Sequence, residues 1–158
     1  MTSFSLLVSM VAAAVLAPAP PPSAPPPSAQ ARNVEKLVNE AAELVEARGR
    51  SAFVEFRKPA SKWWSGSTYL FAYDMQLNVL LNPAFPEREG TNPQGERDAS
   101  GKAMHDEFLK VVREDGAGWV DYVFPRPGEK LPRRKWSYVK GVVIEGKSAI
   151  IGSGFYPE

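Results

Sequence analysis

The sequence predicts an α+β domain: a long N-terminal helix packed on a five-stranded antiparallel sheet, with a long loop-helix insertion covering the other face. Three observations carry that expectation. Val34, Leu37, Val38, Ala41, Leu44 and Val45 recur at helical spacing, with Glu35, Lys36, Glu40, Glu43 and Glu46 opposite them. Residues 68–74 alternate as a strand, with Tyr69, Phe71 and Tyr73 on one face and Leu70 and Ala72 on the other, so both faces need cover. The order of patterns is helix, two strands, a long loop with a helix, then three strands, which suits helices segregated around an antiparallel sheet.

Residues 1–31 carry no charged side chain. Residues 4–17 form an apolar run too short to span a ~30 Å hydrocarbon core, and residues 18–27 are almost all Pro, Ala and Ser. Ala29-Gln30-Ala31 then matches the small-residue pattern of a signal peptidase site. The expectation is a signal peptide over 1–31 and a domain over 32–158. No Lys or Arg precedes the apolar run, so an uncleaved tether with a polyproline II spacer is the alternative. Only in that case is a membrane a partner.

Roughly 127 residues follow, enough for one domain with a core of its own. There is no cysteine, so folding rests on packing. A formal net charge of +1 gives no electrostatic case for nucleic acid.

Along the domain, Asn33 is a fair N-cap and Gly49 a fair C′ residue for the first helix. Residues 51–56 suit a short helical piece stopped by Pro59, and adjacent Trp63 and Trp64 must point different ways. Residues 79–81 pair with 68–74 after a tight turn and end at Asn82-Pro83. The stretch 83–101 is polar and rich in Pro, Gly and Asn, a length that usually serves function or is disordered. Met104, Phe108, Val111 and Val112 restore helical spacing over 102–113. Residues 119–124 and 135–139 form a hairpin with a basic, proline-containing tip, followed by 141–144, a Glu145-Gly146-Lys147 turn and a last strand over 148–156.

The segments YLFAYDMQLNVLLNP, ERDASGKAM, GAGWVDYVFPRPGEK, KWSYVK and IIGSGFY, in that order, resemble the single-Cache domain, the extracytoplasmic sensor module of bacterial chemoreceptors and histidine kinases. The resemblance covers 32–158. It implies a PAS- or profilin-like fold, a small-ligand pocket on the sheet face away from the helix, and a small organic acid such as acetate, propionate, pyruvate or lactate as ligand. Two positions depart from the family pattern. Leu77 stands where members commonly have Gly in a turn, implying a different backbone there, and Asn82-Pro83 replaces a common His-Pro. No output domain follows residue 158, so the expectation is a free binding protein, one that reports to a periplasmic or membrane signalling partner, or one anchored by its N-terminus.

A small-carboxylate pocket needs apolar walls, hydroxyl or amide donors and a cation. The candidate ligand-binding residues are Phe71, Tyr73, Asn82, Met104, Phe108, Trp119, Tyr122, Lys135 and Tyr138. Lys135 and Tyr138 lie three apart on a strand and face opposite ways; the reading prefers Tyr138 inward with Lys135 reaching around the edge, against Lys135 as a solvated base. Each aromatic candidate is equally readable as core. His105, the one histidine, is expected on the flank of its helix, and the basic hairpin tip in solvent. With no Cys, no second His and no nucleophile or phosphate motif, neither catalysis, a metal nor a cofactor is expected. The alternative function is a Cache-like interaction module whose pocket its own side chains fill.

Overall fold

The structure, a computed structural model, describes residues 23–158. The apolar run 4–17 expected as a signal sequence lies outside the described residues. Helix α1 spans Ala29–Arg48, and its N-cap is Ser28 rather than the expected Asn33. The Ser28 hydroxyl accepts from the Ala31 amide at 3.0 Å, and the good helix formers after it extend the helix one turn beyond the sequence expectation. Ala31 and Val34 thereby join Trp136 and Phe155 in a small core cluster. Gly49 ends the helix with φ 60°. A 3-10 turn, Gly49–Ala52, leads into the short helix α2, Phe53–Phe56.

The five expected strands are present: β2 (Thr68–Asp74), β3 (Val79–Leu81), β4 (Ala117–Pro125), β5 (Pro132–Ile144) and β6 (Lys147–Phe155). A two-residue strand, β1 (Trp64–Ser65), adds a sixth that was not anticipated. The order is β1-β2-β6-β5-β4, and β3 also pairs with β2, so β1 and β3 share its outer edge. The stretch 141–144 continues the second hairpin strand into the long β5, whose whole length pairs with β6. In the β2–β3 turn Leu77 adopts φ 68° and is fully buried. Leucine takes the left-handed geometry that favours glycine, at a cost of about 1–2 kcal/mol, and its side chain is fully buried.

Strand alternation divides the sheet. One face presents Leu70, Ala72, Ala149, Ile151 and Val142 to α1 and α2. The other presents Tyr69, Phe71 and Tyr73 from β2, Ile150 from β6, Val139 from β5 and Val120 and Tyr122 from β4. Helix α3, Met104–Asp115, covers this second face with Met104, Phe108 and Val112. Trp63 packs on Phe56 at 4.9 Å between centroids, on the α1 side, while Trp64 joins the cluster under α3.

The segment 82–103 closes over the edge of that second face. Asp98 organises its end: Oδ1 accepts from the Ser100 and Lys102 amides, and Oδ2 accepts from the Val123 amide of β4 at 2.8 Å. Near its start, Glu89 accepts from both terminal nitrogens of Arg57 and from the Asn82 amide. The loop is therefore a bonded lid.

Candidate ligand site

The site lies between the sheet and this lid, and glycines set its floor. Across β6 from Lys135 and Ser137, a Cβ at Gly154 would collide with Ser137 Oγ and come within 2.9 Å of Lys135 Cε. A Cβ at Gly152 would lie 2.5 Å from Phe71 Cε2. Absence of side chains there lets the lysine stem and the Phe71 ring lie flat on the strand.

Lys135 occupies the centre of this floor and is 1% exposed. Its Nζ donates to the Tyr69 hydroxyl at 3.2 Å. It stands 4.4 Å from the Tyr69 ring centroid, 5.4 Å from Tyr156, 5.7 Å from Phe124 and 5.8 Å from Phe71. Among the described residues it belongs to none of the ion pairs. Burial lowers its amine from 10.5 to about 7. Aromatic faces contribute up to roughly 2 kcal/mol to a desolvated cation, whereas burying an unpaired charge costs several. The cage leaves Lys135 short of an anion.

Around the lysine are neutral donors. The Tyr122 and Ser137 hydroxyls share a hydrogen bond of 2.9 Å, both buried, and burial pushes the phenols of Tyr69, Tyr73, Tyr122 and Tyr156 up. His105 is buried, not on a solvent flank as expected, because the lid and β2 enclose the first turn of α3. It meets Tyr73 and Phe108 edge-on and leaves Nδ1 without a partner. Burial, then the Arg88 charge, lowers its imidazole to about 4, so it is neutral. Arg88, half-buried in the lid, donates to Glu96 at 2.7 Å while its buried Nε has no partner.

A cleft of about 260 Å³ at the edge of the lid is lined in part by Phe85, Arg88, Met104 and Phe124. Phe85 and Phe124 pack edge-to-face at 5.2 Å in its wall, and the Phe124 ring centroid is 5.7 Å from Lys135 Nζ. A larger surface cleft, about 540 Å³, runs along α1 past Lys36, Glu40 and Lys62. Its rim of solvated charges includes the Lys62–Glu40 ion pair and offers no buried cation. Size is a poor guide here: the smaller cleft shares Phe124 with the aromatic cage around Lys135.

Of the nine sequence candidates, Phe71, Tyr73, Met104, Phe108, Tyr122 and Lys135 meet on this face. Trp119 and Tyr138 do not. Their rings pack together at 5.3 Å, and Trp119 lies 6.0 Å from Phe155, on the α1 side. The preferred orientation is thus reversed: Tyr138 goes toward α1, which needs a large apolar residue there, and Lys135 goes under the lid. Asn82 is buried as a turn former, its Oδ1 accepting from the Phe85 amide at 3.1 Å. Tyr69, Tyr156, Ser137 and Arg88 were missed; alternation of Tyr69 with Phe71 and Tyr73 was the available signal for the first.

A lidded sheet face opposite a long N-terminal helix has counterparts among known proteins. The Cache domain family matches residues 28–158. The chain belongs to the Cache domain family. Cache domains are sensory, ligand-binding modules. A periplasmic sensor domain of a chemotaxis protein superposes with a TM-score of 0.70 at 32% identity, covering 82% of this chain and 95% of that one. A second solved structure, described under carboxylic acid recognition by a Cache chemosensory domain, gives a TM-score of 0.69 at 26% identity over the same shares. The methyl-accepting chemotaxis protein McpP of Pseudomonas putida is 32% identical over 88 residues, 56% of this chain. The match spans only 16% of that receptor's length. Among the described residues, no helix is long and apolar enough to cross a membrane.

Proposed function

We propose that this Cache domain is an exported sensor module that binds a small carboxylate reversibly, with Lys135 as the anion receptor and Tyr69, Tyr122 and Ser137 as neutral donors beside it. The observation that carries the reading is a fully buried lysine amine held by aromatic rings and a phenol, with no carboxylate paired to it among the described residues. A charge-assisted hydrogen bond from Lys135 to an incoming carboxylate contributes about 1.5–3 kcal/mol and removes the penalty of the unpaired charge. The likeness to a domain described for carboxylic acid recognition supports the same class. Its resemblance to chemoreceptor sensors supports signalling to a membrane or periplasmic partner.

A ligand of about five heavy atoms gains at most ~7.5 kcal/mol, which places Kd no tighter than the micromolar range. Calorimetric titration with C2 to C4 acids is expected to give saturable binding in the wild-type chain and none in Lys135→Met. Flat titrations of the wild type at millimolar acid would overturn the proposal.

One observation favours a second reading. Stacked Phe71 and Phe108, with Tyr73 and Tyr122 around them, fill the face under α3, and Lys135 is not in the lining of the cleft at Phe85 and Phe124. If the face is closed in solution, the domain is an interaction module with its pocket occupied by its own side chains. Retained thermal stability with no acid-induced shift, together with capture of a defined signalling partner that survives Lys135→Met, would support that reading.

A further inference from the structure

The tip of the β4–β5 hairpin lies at the end of the domain where α1 begins. Ala31 and Val34 pack with Trp136, Lys140 Nζ donates to Asn39 Oδ1 at 2.8 Å, and Glu145 Oε1 accepts from the Arg50 amide at 3.2 Å. α1 and β5 therefore run side by side in the same direction, so the residues before β5 stand beside the entry to α1. The chain reaches that entry from a stretch containing the apolar run 4–17. We propose that this tip is a docking surface for an anionic lipid bilayer, with Leu131 entering the headgroup region and Arg126, Lys130 and Arg133 facing lipid phosphates. It is a different part of the molecule from the carboxylate site and does not rest on that reading.

The hairpin holds these residues on a fixed frame. β4 and β5 pair as far as Pro125 and Pro132, the Tyr156 hydroxyl donates to the Pro125 carbonyl at 2.7 Å, and the Arg126 guanidinium lies 5.2 Å from the Tyr156 ring centroid. Residues 128–134 are all exposed. Leu131, at 73%, is the most exposed large apolar side chain among the described residues. A lone exposed leucine is ordinary on a protein surface, but this one is set among cations. Residues 126–134 contain Arg126, Lys130, Arg133 and Arg134 against Glu129 alone. Glu129 accepts from Arg133, and Asp121 is shared by Arg134 and Lys102. Among the described residues Lys130 belongs to no ion pair, and the buried Nε of Arg126 has no partner. Glu158 lines a cleft with Arg126 and offsets part of the charge. An acidic protein would also satisfy the bases; a bilayer is favoured because the apolar run joins the domain at the same end. Each basic side chain close to an anionic bilayer strengthens binding about fivefold, and burying a leucine adds about tenfold.

The chain has no cysteine, so Pro127→Cys places a polarity-sensitive dye on the tip alone, and Val54→Cys places one on α2, past the far end of α1. With the full chain and vesicles of about 30% phosphatidylglycerol in phosphatidylcholine, the dye at 127 is expected to shift to the blue and the dye at 54 to stay as in water. The response should vanish on pure phosphatidylcholine and weaken as salt rises. Adding Lys130→Glu and Arg133→Glu to the labelled chain should raise the lipid concentration for half response at least about tenfold, and adding Leu131→Ser should raise it about tenfold. A chain held by its apolar run alone would float with both kinds of vesicle while the dye at 127 reports water, and that result would overturn the proposal. So would a response that the charge reversals leave unchanged, or a response to polyglutamate with none to vesicles, which would give the tip to an acidic protein.

Discussion

Burial takes the Lys135 amine from 10.5 to about 7, and the titratable groups around it are the phenols of Tyr69, Tyr122 and Tyr156, all pushed up and neutral. The unfolded chain therefore holds more protons than the folded one between about pH 7 and 10.5. Stability of the free domain should rise with pH across that window. Acid binding should move the other way, weakening as pH rises above about 7, because the carboxylate pairs with the ammonium and not the amine. Binding near pH 7.5 is then accompanied by proton uptake, measurable as a dependence of the calorimetric enthalpy on the ionisation enthalpy of the buffer. Lys135→Met replaces the buried charge with an apolar chain of similar length. It is expected to raise Tm by about 2–8 °C and to lose the rise with pH. A lower Tm for Lys135→Met would show that the aromatic cage already compensates the charge.

Among the elements, the end of the lid is tied down by one short side chain. Asp98 accepts from Ser100, Lys102 and Val123, joining the end of the lid to β4. Asp98→Ala leaves those amides without an acceptor and should cost about 1–3 kcal/mol. Hydrogen exchange is expected to accelerate over 94–103 and at Val123, while the β5–β6 ladder keeps its protection; unchanged exchange over the lid would mean that its other bonds, Arg57–Glu89 and the Gly95 amide to Asp106 among them, suffice to hold it. Gly101 takes φ 88° in the turn that Asp98 closes, the kind of geometry that Asp and Gly carry. What the lid buries was not legible. On β5, Trp136, Tyr138 and Val142 form the apolar row and Lys135 and Ser137 the polar one, so hydrophobicity alone turns the lysine outward. Only the lid and the glycine floor of β6, both distant in sequence, reverse that. His105 was misplaced for the same reason, and β1 is too short to show a period.

Across the whole molecule, α1 covers one sheet face and α3 with the lid covers the other, and the first turn of α1 ties the N-terminal side of the domain to β5 and the end of β6. Alternation on β2 made the two-faced plan readable in advance. The start of the helix was not, because Ala29-Gln30-Ala31 serves equally as a peptidase site and as a first helical turn. The structure gives these residues work: Ser28 caps the helix, and Ala31 is buried with Val34 against Trp136 and Phe155. A chain beginning at Arg32 loses the cap, worth about 1 kcal/mol, and the buried alanine methyl, worth about 0.8. Such a chain is expected to melt several degrees below one beginning at residue 23, roughly 4–8 °C by the usual scaling for domains of this size. Differential scanning calorimetry of the two chains decides it, read beside the N-terminal mass of the protein recovered from cells. Equal melting temperatures would show that the first turn of α1 adds nothing to the fold, and a cut after Ala31 would then be compatible with a fully stable domain.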